Sequence, residues 1–251
     1  SETDHCSYGT DCSDCGPRFY LPSPSPPPSP PPPSLPPFYP VYEIGATDSN
    51  GFLAHNCFNK HQNSSDCQTC ISLFQSYMEE TKTAKYLFYS VNFSNYNSTF
   101  IDACKTGISK LDTSMVTSMH GMFYSTTGFD RSLNDWNVSS VIDMAFMFLF
   151  SDFNQSIGNW NVSSVTDMKF MFAESRFDQP IGSWNVSSVT DMSYMFYKSP
   201  FNQSIDEWEK HLQERYVIMY KMFSGIETKP REPCWYNNGN FQNCQSAEPD
   251  S

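Results

Sequence analysis

Apolar positions recur through the middle of the chain with a period of 24 residues, clearest from Val141 to Ser164: Val-x-Asp-Met-x-x-Met-Phe, then Phe-Asn-Gln-x-Ile, then Trp-Asn-Val-Ser-Ser. Trp136, Trp160, Trp184 and Trp208 are evenly spaced, and Met144/Met147/Phe148, Met168/Met171/Phe172 and Met192/Met195/Phe196 keep the same step. A unit of this length cannot bury its apolar residues alone, only against its neighbours, which predicts a solenoid. Met, Met and Phe at i, i+3 and i+4 share one face of a short helix. Ser164-Val-Thr-Asp167 and Ser188-Val-Thr-Asp191, just before that run, read as capping boxes. Trp160-Asn161-Val162 alternates apolar, polar, apolar and reads as a very short strand, so stacked units predict a narrow parallel sheet.

The register reaches beyond the regular copies. Val116, Met119, Met122, Phe123, Phe129, Leu133 and Trp136 form a first unit with one extra residue beside Gly128. Upstream, Leu111 takes the tryptophan position and Cys104 the phenylalanine position; downstream, Met219, Met222, Phe223 and Trp235 keep the spacing after a three-residue insertion. These units predict about six rungs between Leu111 and Trp235, degenerate at both ends as capping repeats are.

The run Trp-Asn-Val-Ser-Ser-Val-Thr-Asp-Met-x-x-Met-Phe at 184–196 and its copies, with Phe-Asn-Gln-Ser-Ile at 153–157 and 201–205, resembles the leucine-rich repeats of BspA-like surface proteins, of the type found in mycoplasma lipoproteins and protist surface proteins. The resemblance covers roughly half the chain. It implies an extracellular, non-catalytic domain used for adhesion or surface assembly. The expected fold class is an α/β solenoid, leucine-rich-repeat-like, with a short parallel strand and a short helix per rung and disulfide-stapled caps. An extended arm is attached to it.

That arm is residues 21–40, Leu-Pro-Ser-Pro-Ser-Pro-Pro-Pro-Ser-Pro-Pro-Pro-Pro-Ser-Leu-Pro-Pro-Phe-Tyr-Pro. Proline lacks an amide donor and fixes φ, so the arm is expected to be a polyproline II rod of roughly 60 Å at about 3.1 Å per residue. It resembles the hydroxyproline-rich stretches of algal and plant wall glycoproteins. That resemblance implies hydroxylation and O-glycosylation at Pro24, Pro26, Pro27, Pro28, Pro30, Pro31, Pro32 and Pro33. A stiff spacer and an assembly element are both open readings of it. The domain organisation read from the chain is a small cysteine-rich module at 1–20, the arm at 21–40, a pre-repeat capping segment at 41–107, the repeats at 108–233 and a carboxy-terminal cap and tail at 234–251.

Composition changes the picture in the direction of export. Nine cysteines and the sequons at Asn63, Asn92, Asn97, Asn137, Asn154, Asn161, Asn185 and Asn202 point to an oxidising secretory route and a cell-surface or secreted location. The chain begins at Ser1 without a signal peptide, which reads as a processed or partial form. A formal charge of −12 argues against nucleic acid and anionic membrane as partners, and no transmembrane run is present. Asn137, Asn161 and Asn185 fall on adjacent rungs, where an asparagine ladder competes with glycosylation. Asn154 and Asn202, in a loop two rungs apart, rank with Asn63, Asn92 and Asn97 as the better glycan sites.

All the cysteines lie outside the regular repeats. Cys234 with Cys244 is the pair expected at the far end, and Cys57 with Cys67 and Cys70 with Cys104 are the pairs favoured among the three connectivities of the other four. With nine cysteines, one thiol is left free or bridges elsewhere. Cys57-x3-His61-x5-Cys67-x2-Cys70 has spacing that suits zinc, but disulfide formation is the better reading for an exported chain; Asp11 and Asp14 fall short of a calcium shell. No metal or other cofactor is expected.

Phe146, Phe170 and Tyr194 share the third position of Met-x-x-Met, outward on the predicted helix, and with Phe150 could form an exposed aromatic column suited to an interface or be covered by flanking segments. The five histidines fall in unrelated contexts, and no nucleophile, metalloprotease or phosphate-loop motif is present. Asp143, Asp167 and Asp191 repeat in register, but a carboxylate at a helix start already has a structural role. The expected function is a non-catalytic structural glycoprotein that assembles with itself or with other extracellular glycoproteins and carries N- and O-linked glycans. The alternative is a monomeric adhesion or ligand-binding module.

Overall fold

The computed structural model describes residues 53–61, 67–213, 216–226, 233, 235–237 and 240–241. The cysteine-rich module, the proline arm with its eight candidate hydroxyprolines, Asn63, Cys234 and Cys244 lie outside the described residues.

Three helices open the described part: α1 (Leu53–His61), α2 (Gln68–Thr81) and α3 (Ser98–Ile108). Cys70, Phe74 and Met78 recur every four residues and give α2 one buried face; Phe100, Ile101, Cys104 and Ile108 do the same for α3. The Asn97 side chain caps α3 by accepting from the amides of Thr99 and Phe100. Helix α2 stops at Lys82, whose left-handed backbone (φ 58) returns its amide to the Met78 carbonyl.

The disulfides are Cys57–Cys70 and Cys67–Cys104, correcting the pairing favoured from sequence. Helix formation is the reason. Cys57 on the buried face of α1 meets Cys70 on the buried face of α2, with Cα atoms 5.7 Å apart, which leaves Cys67 at the start of α2 for Cys104 of α3. The bridges close separations of 13 and 37 residues. Chain-entropy estimates for loops of that size are about 3 and about 4 kcal/mol.

The rungs are not built as the periodicity predicts, and the α/β solenoid of helices and parallel strands is overturned. Residues 144–151 form no helix but successive tight turns: Met147 donates to the Met144 carbonyl, Leu149 to that of Phe146, and Ser151 to that of Phe148. Phe146 (φ 60) and Phe150 (φ 57) stand in the left-handed region, and so do Phe170, Glu174, Tyr194 and Lys198 in the next two units. A helix would direct its amides to its own carbonyls. Here the amides of Met144, Phe146, Phe148 and Phe150 donate to the carbonyls of Asp167, Lys169, Met171 and Ala173 in the next rung, at 2.9 to 3.1 Å. Two left-handed non-glycine residues cost about 2–4 kcal/mol. Four inter-rung hydrogen bonds at about 1 kcal/mol each offset that, and burial decides the balance.

The predicted strand is absent as well. Trp160-Asn161-Val162 lies between turns, with Trp160 donating to Ile157 and Val165 to Val162. Lateral β pairing among the rungs is reduced to single parallel bridges that link Thr83, Ser118, Asp143, Asp167, Asp191 and Ile218 in succession, with one more between Asn92 and Thr127. Among the described residues the strands are the two-residue antiparallel pair β1 (Tyr236–Asn237) and β2 (Asn240–Phe241). The remaining helix, α4 (Glu209–Leu212), follows Trp208 directly.

The capping boxes are corrected with the helices. Asp143, Asp167 and Asp191 accept from the amides two residues on, at Ala145, Lys169 and Ser193, closing local Asx turns. The Ser164 and Ser188 hydroxyls instead donate backwards to the carbonyls of Ser139 and Ser163 in the preceding rung.

The stack also begins earlier than Leu111. Thr83 bridges Ser118, and Ala84, Leu87, Phe88 and Phe93 are buried at the spacing of Met144, Met147, Phe148 and Phe153. Inside the stack, identical side chains sit over one another. Phe123, Phe148, Phe172, Phe196 and Phe223 make a continuous column with centroids 5.5 to 5.9 Å apart, and Phe153, Phe177 and Phe201 make a second. Trp160, Trp184 and Trp208 each donate the indole N–H to a carbonyl of the preceding rung, at Leu133, Ile157 and Ile181. Burying the tryptophan therefore leaves no donor unpaired at these three positions.

Candidate interaction surface

The two left-handed positions of each rung turn side chains away from the main core and onto one outer edge. Leu149, Phe170, Ala173 and Tyr194 are buried there in a second apolar cluster, with Tyr124, Phe146, Tyr197 and Tyr220 half-buried against it. Phe146, Phe170 and Tyr194 stack with centroids 5.2 and 4.5 Å apart and planes within 8°. Phe170 and Tyr194 are 9% and 2% exposed, so of the two open readings of the column, exposed or covered, the covered one holds for these two, with the neighbouring rings rather than a flanking segment packed against them. Parallel rings cover one another's faces and leave only edges outward. Phe150, at 41%, is the member of the predicted set that stands free, edge-on to Tyr124 at 6.0 Å.

Two lysines on this edge are matched by carboxylates, and a third, exposed Lys221, lies over the Tyr220 ring at 5.3 Å with no ion-pair partner among the described residues. Lys169 pairs with Asp167 at 3.0 Å and lies over the Phe146 ring, and Lys198 pairs with Glu174 at 3.5 Å and lies over Tyr197. Burial works to lower the Lys169 ammonium, but Asp167, with Asp191 and Asp143 behind it, holds it above the usual lysine range. Burial alone pushes the Tyr124 hydroxyl up more than any charge does.

His120, which sequence reasoning left without a role, sits where the seam passes from Tyr86 to Phe146, with ring centroids 5.3 and 5.2 Å away. Its Nδ1 lies 3.1 Å from Asp143 Oδ2; a carboxylate only accepts, so Nδ1 carries the proton. Burial works to raise the Asp143 carboxyl, yet the hydrogen bond and charge of His120, the Ala145 amide and the Ser118 hydroxyl together hold it below the usual carboxylate range. Ser118 Oγ donates to the same carboxylate. Serine and imidazole thus share Asp143 in place of a serine-to-histidine relay, and nothing here activates the hydroxyl as a nucleophile.

The sequons divide by their hydrogen bonds. Asn92 and Asn97 are exposed caps whose Oδ1 atoms accept from following amides. Asn137, Asn161 and Asn185 are exposed, and each accepts from the amide two residues on within its own rung, at Ser139, Ser163 and Ser187. The inter-rung ladder lies elsewhere, at Asp130, Asn154, Asp178 and Asn202. There Asp130, Asn154 and Asp178 each accept from the backbone amide of the next member and from the glutamine beside it, Gln155, Gln179 or Gln203. Asn154 is half-buried in that ladder, whereas Asn202 ends it and is exposed. A polar position repeating at 130, 154, 178 and 202 was the available signal.

Cys57, Cys67 and Cys70 of the zinc-like spacing are all in disulfides, and among the described residues no group of His, Cys, Asp and Glu is placed to hold a metal ion. No helix among the described residues is long and apolar enough to cross a membrane.

Compared with known proteins, the chain matches no curated protein and no solved structure. One family model matches it three times, at residues 68–152, 90–208 and 149–233, which together take in about two thirds of the chain and include α2, α3 and the rungs. By that coverage the chain belongs to the family described as Mycoplasma protein of unknown function, DUF285, which is related to BspA-like repeat proteins.

Proposed function

We propose that the chain is a non-catalytic, extracellular structural glycoprotein, a subunit that assembles with itself or with other extracellular glycoproteins into a filament or surface coat. The observation that carries this reading is the outer seam. An aromatic edge separate from the main core runs from rung to rung, with Tyr124, Phe146, Tyr197 and Tyr220 half-buried and Phe150 exposed, and along its middle Lys169 and Lys198 are paired with Asp167 and Glu174. A surface of this kind offers apolar contact to a neutral partner. Disulfides within the helical cap and exposed sequons fit passage through a secretory route. N-linked glycans are assigned to Asn63, Asn92, Asn97 and Asn202, with Asn154 and the row Asn137, Asn161 and Asn185 less favoured. The proline arm, hydroxylated and O-glycosylated, supplies the second contact between subunits.

An adhesion module is favoured by one observation only, the exposed row of Asn137, Asn161 and Asn185 on consecutive rungs. Sedimentation velocity of the secreted, non-reduced chain over a hundredfold range of concentration separates the two. Concentration-dependent growth beyond dimers supports the structural subunit, and a single monomer boundary throughout supports the module.

A further inference from the structure

We infer that the partner lying on this seam is the proline arm of a second copy, docked through residues Pro26–Pro33. The inference rests on the self-assembly reading above and gives it an address on the molecule.

Three features of the seam select such a ligand. The first is spacing. Parallel-bridged rungs lie about 4.8 Å apart, so every second rung repeats at about 9.6 Å. A polyproline II helix repeats every three residues, about 9.3 Å. Tyr89, Leu149 and Tyr197 occupy the same position on alternate rungs, as their amide and carbonyl pairings show, and Tyr124 and Ala173 occupy it on the rungs between. In a polyproline II helix Pro27, Pro30 and Pro33 would fall on one line at the matching interval, with a mismatch over two steps of under about 1 Å.

The second feature is length. From the rung that begins at Ala84 to the one that holds Met219, five intervals span about 24 Å. Held as polyproline II, the eight residues Pro26–Pro33, seven prolines and Ser29, would span seven steps or about 22 Å.

The third is chemistry. The arm between residues 21 and 40 carries no charged side chain, and of the seam's lysines Lys169 and Lys198 are paired with Asp167 and Glu174 while Lys221, at one end, lies over the Tyr220 ring. Half-buried Tyr124 and Tyr197 flank the shorter Leu149 and Ala173, giving ring edges and hydroxyl donors on either side of an apolar floor. A polyproline II backbone has no internal hydrogen bonds and offers its carbonyls to such donors, which is how aromatic-lined surfaces recognise proline-rich chains. One line of prolines would face the seam, so the docking narrows the eight expected glycan positions by requiring Pro27, Pro30 and Pro33 to be bare.

The test uses the full secreted chain with p-benzoylphenylalanine in place of Tyr124, mixed as isotopically heavy and light copies, irradiated and mapped by mass spectrometry. Cross-links from position 124 to residues 21–40 in heavy–light pairs are the expected result, with suppression of assembly by a synthetic peptide of residues 21–40. The double substitution Tyr124→Ala and Tyr197→Ala is expected to raise the concentration needed for assembly at least tenfold, with disulfide map and circular dichroism unchanged. Assemblies that form normally in the double variant, or whose cross-links fall outside the arm or only within one copy, overturn the docking and leave self-assembly standing. A chain that stays monomeric at every concentration overturns both.

Discussion

Glycine at position 121 has the left-handed backbone (φ 57) that Phe146, Phe170 and Tyr194 adopt at cost in the rungs that follow. A Cβ added there meets the Tyr86 ring, so Gly121→Ala combines backbone strain with a clash and is expected to destabilise by about 2–5 kcal/mol in chemical denaturation. Ser90 is the reverse case. It is exposed with φ 54, so Ser90→Gly is expected to be neutral or stabilising by up to about 1 kcal/mol, and Ser90→Val to destabilise by more than that. Asp143 gives a pH signature. Its carboxyl is depressed in the folded chain, so its contribution to stability is present above the ordinary carboxylate pKa and is lost as pH falls through the depressed value. The difference in denaturation between Asp143→Asn and the parent chain should be present at pH 7 and shrink as the pH falls through the depressed value; a difference independent of pH contradicts the assignment.

At the scale of elements, the Met-x-x-Met-Phe run shows why the period was legible and the local structure was not. Apolar residues at i, i+3 and i+4 mark the inward side of a helix, but tight turns closing three residues apart bring Met144, Met147 and Phe148 inward as well. The choice is made by amides that pair with the next rung, which a single unit's sequence does not contain. Gly121 within Met119-His-Gly-Met122, and Gly225 at the equivalent of Phe150, were the local hints, since glycine disfavours a helix interior and suits a left-handed turn. The Ala84-x-x-Leu87-Phe88 unit was missed because α3 replaces the connector that carries tryptophan elsewhere. The seam was visible as an aromatic column, but its burial came from stacking between rungs. Phe172 tests that stacking: it lies 5.7 Å from Phe148, 5.9 Å from Phe196 and 4.0 Å from Phe177, so Phe172→Ala is expected to cost about 3–5 kcal/mol. In the helical cap, a non-reducing digest should recover Cys57 with Cys70 and Cys67 with Cys104, and Cys104→Ser should destabilise by about 4 kcal/mol.

For the whole molecule, the repeat explains a stable edge, and the proposed function lies in what that edge meets. Hydrogen bonds and ring stacks between rungs use up the inward side and most of the polar positions. The half-buried tyrosines of the seam, the exposed sequons and the proline arm remain for contact with other molecules. Because apolar contact dominates such an interface, assembly is expected to survive moderate salt that would dissolve a charge-driven one. The central claim is that this chain builds something larger than itself, and negative-stain electron microscopy of native, non-reduced material tests it most directly. The account predicts linear or sheet-like polymers in which antibody to residues 21–40 decorates the subunits poorly until they are dispersed. Separate monomeric particles at every concentration, with the arm accessible in all of them, contradict it.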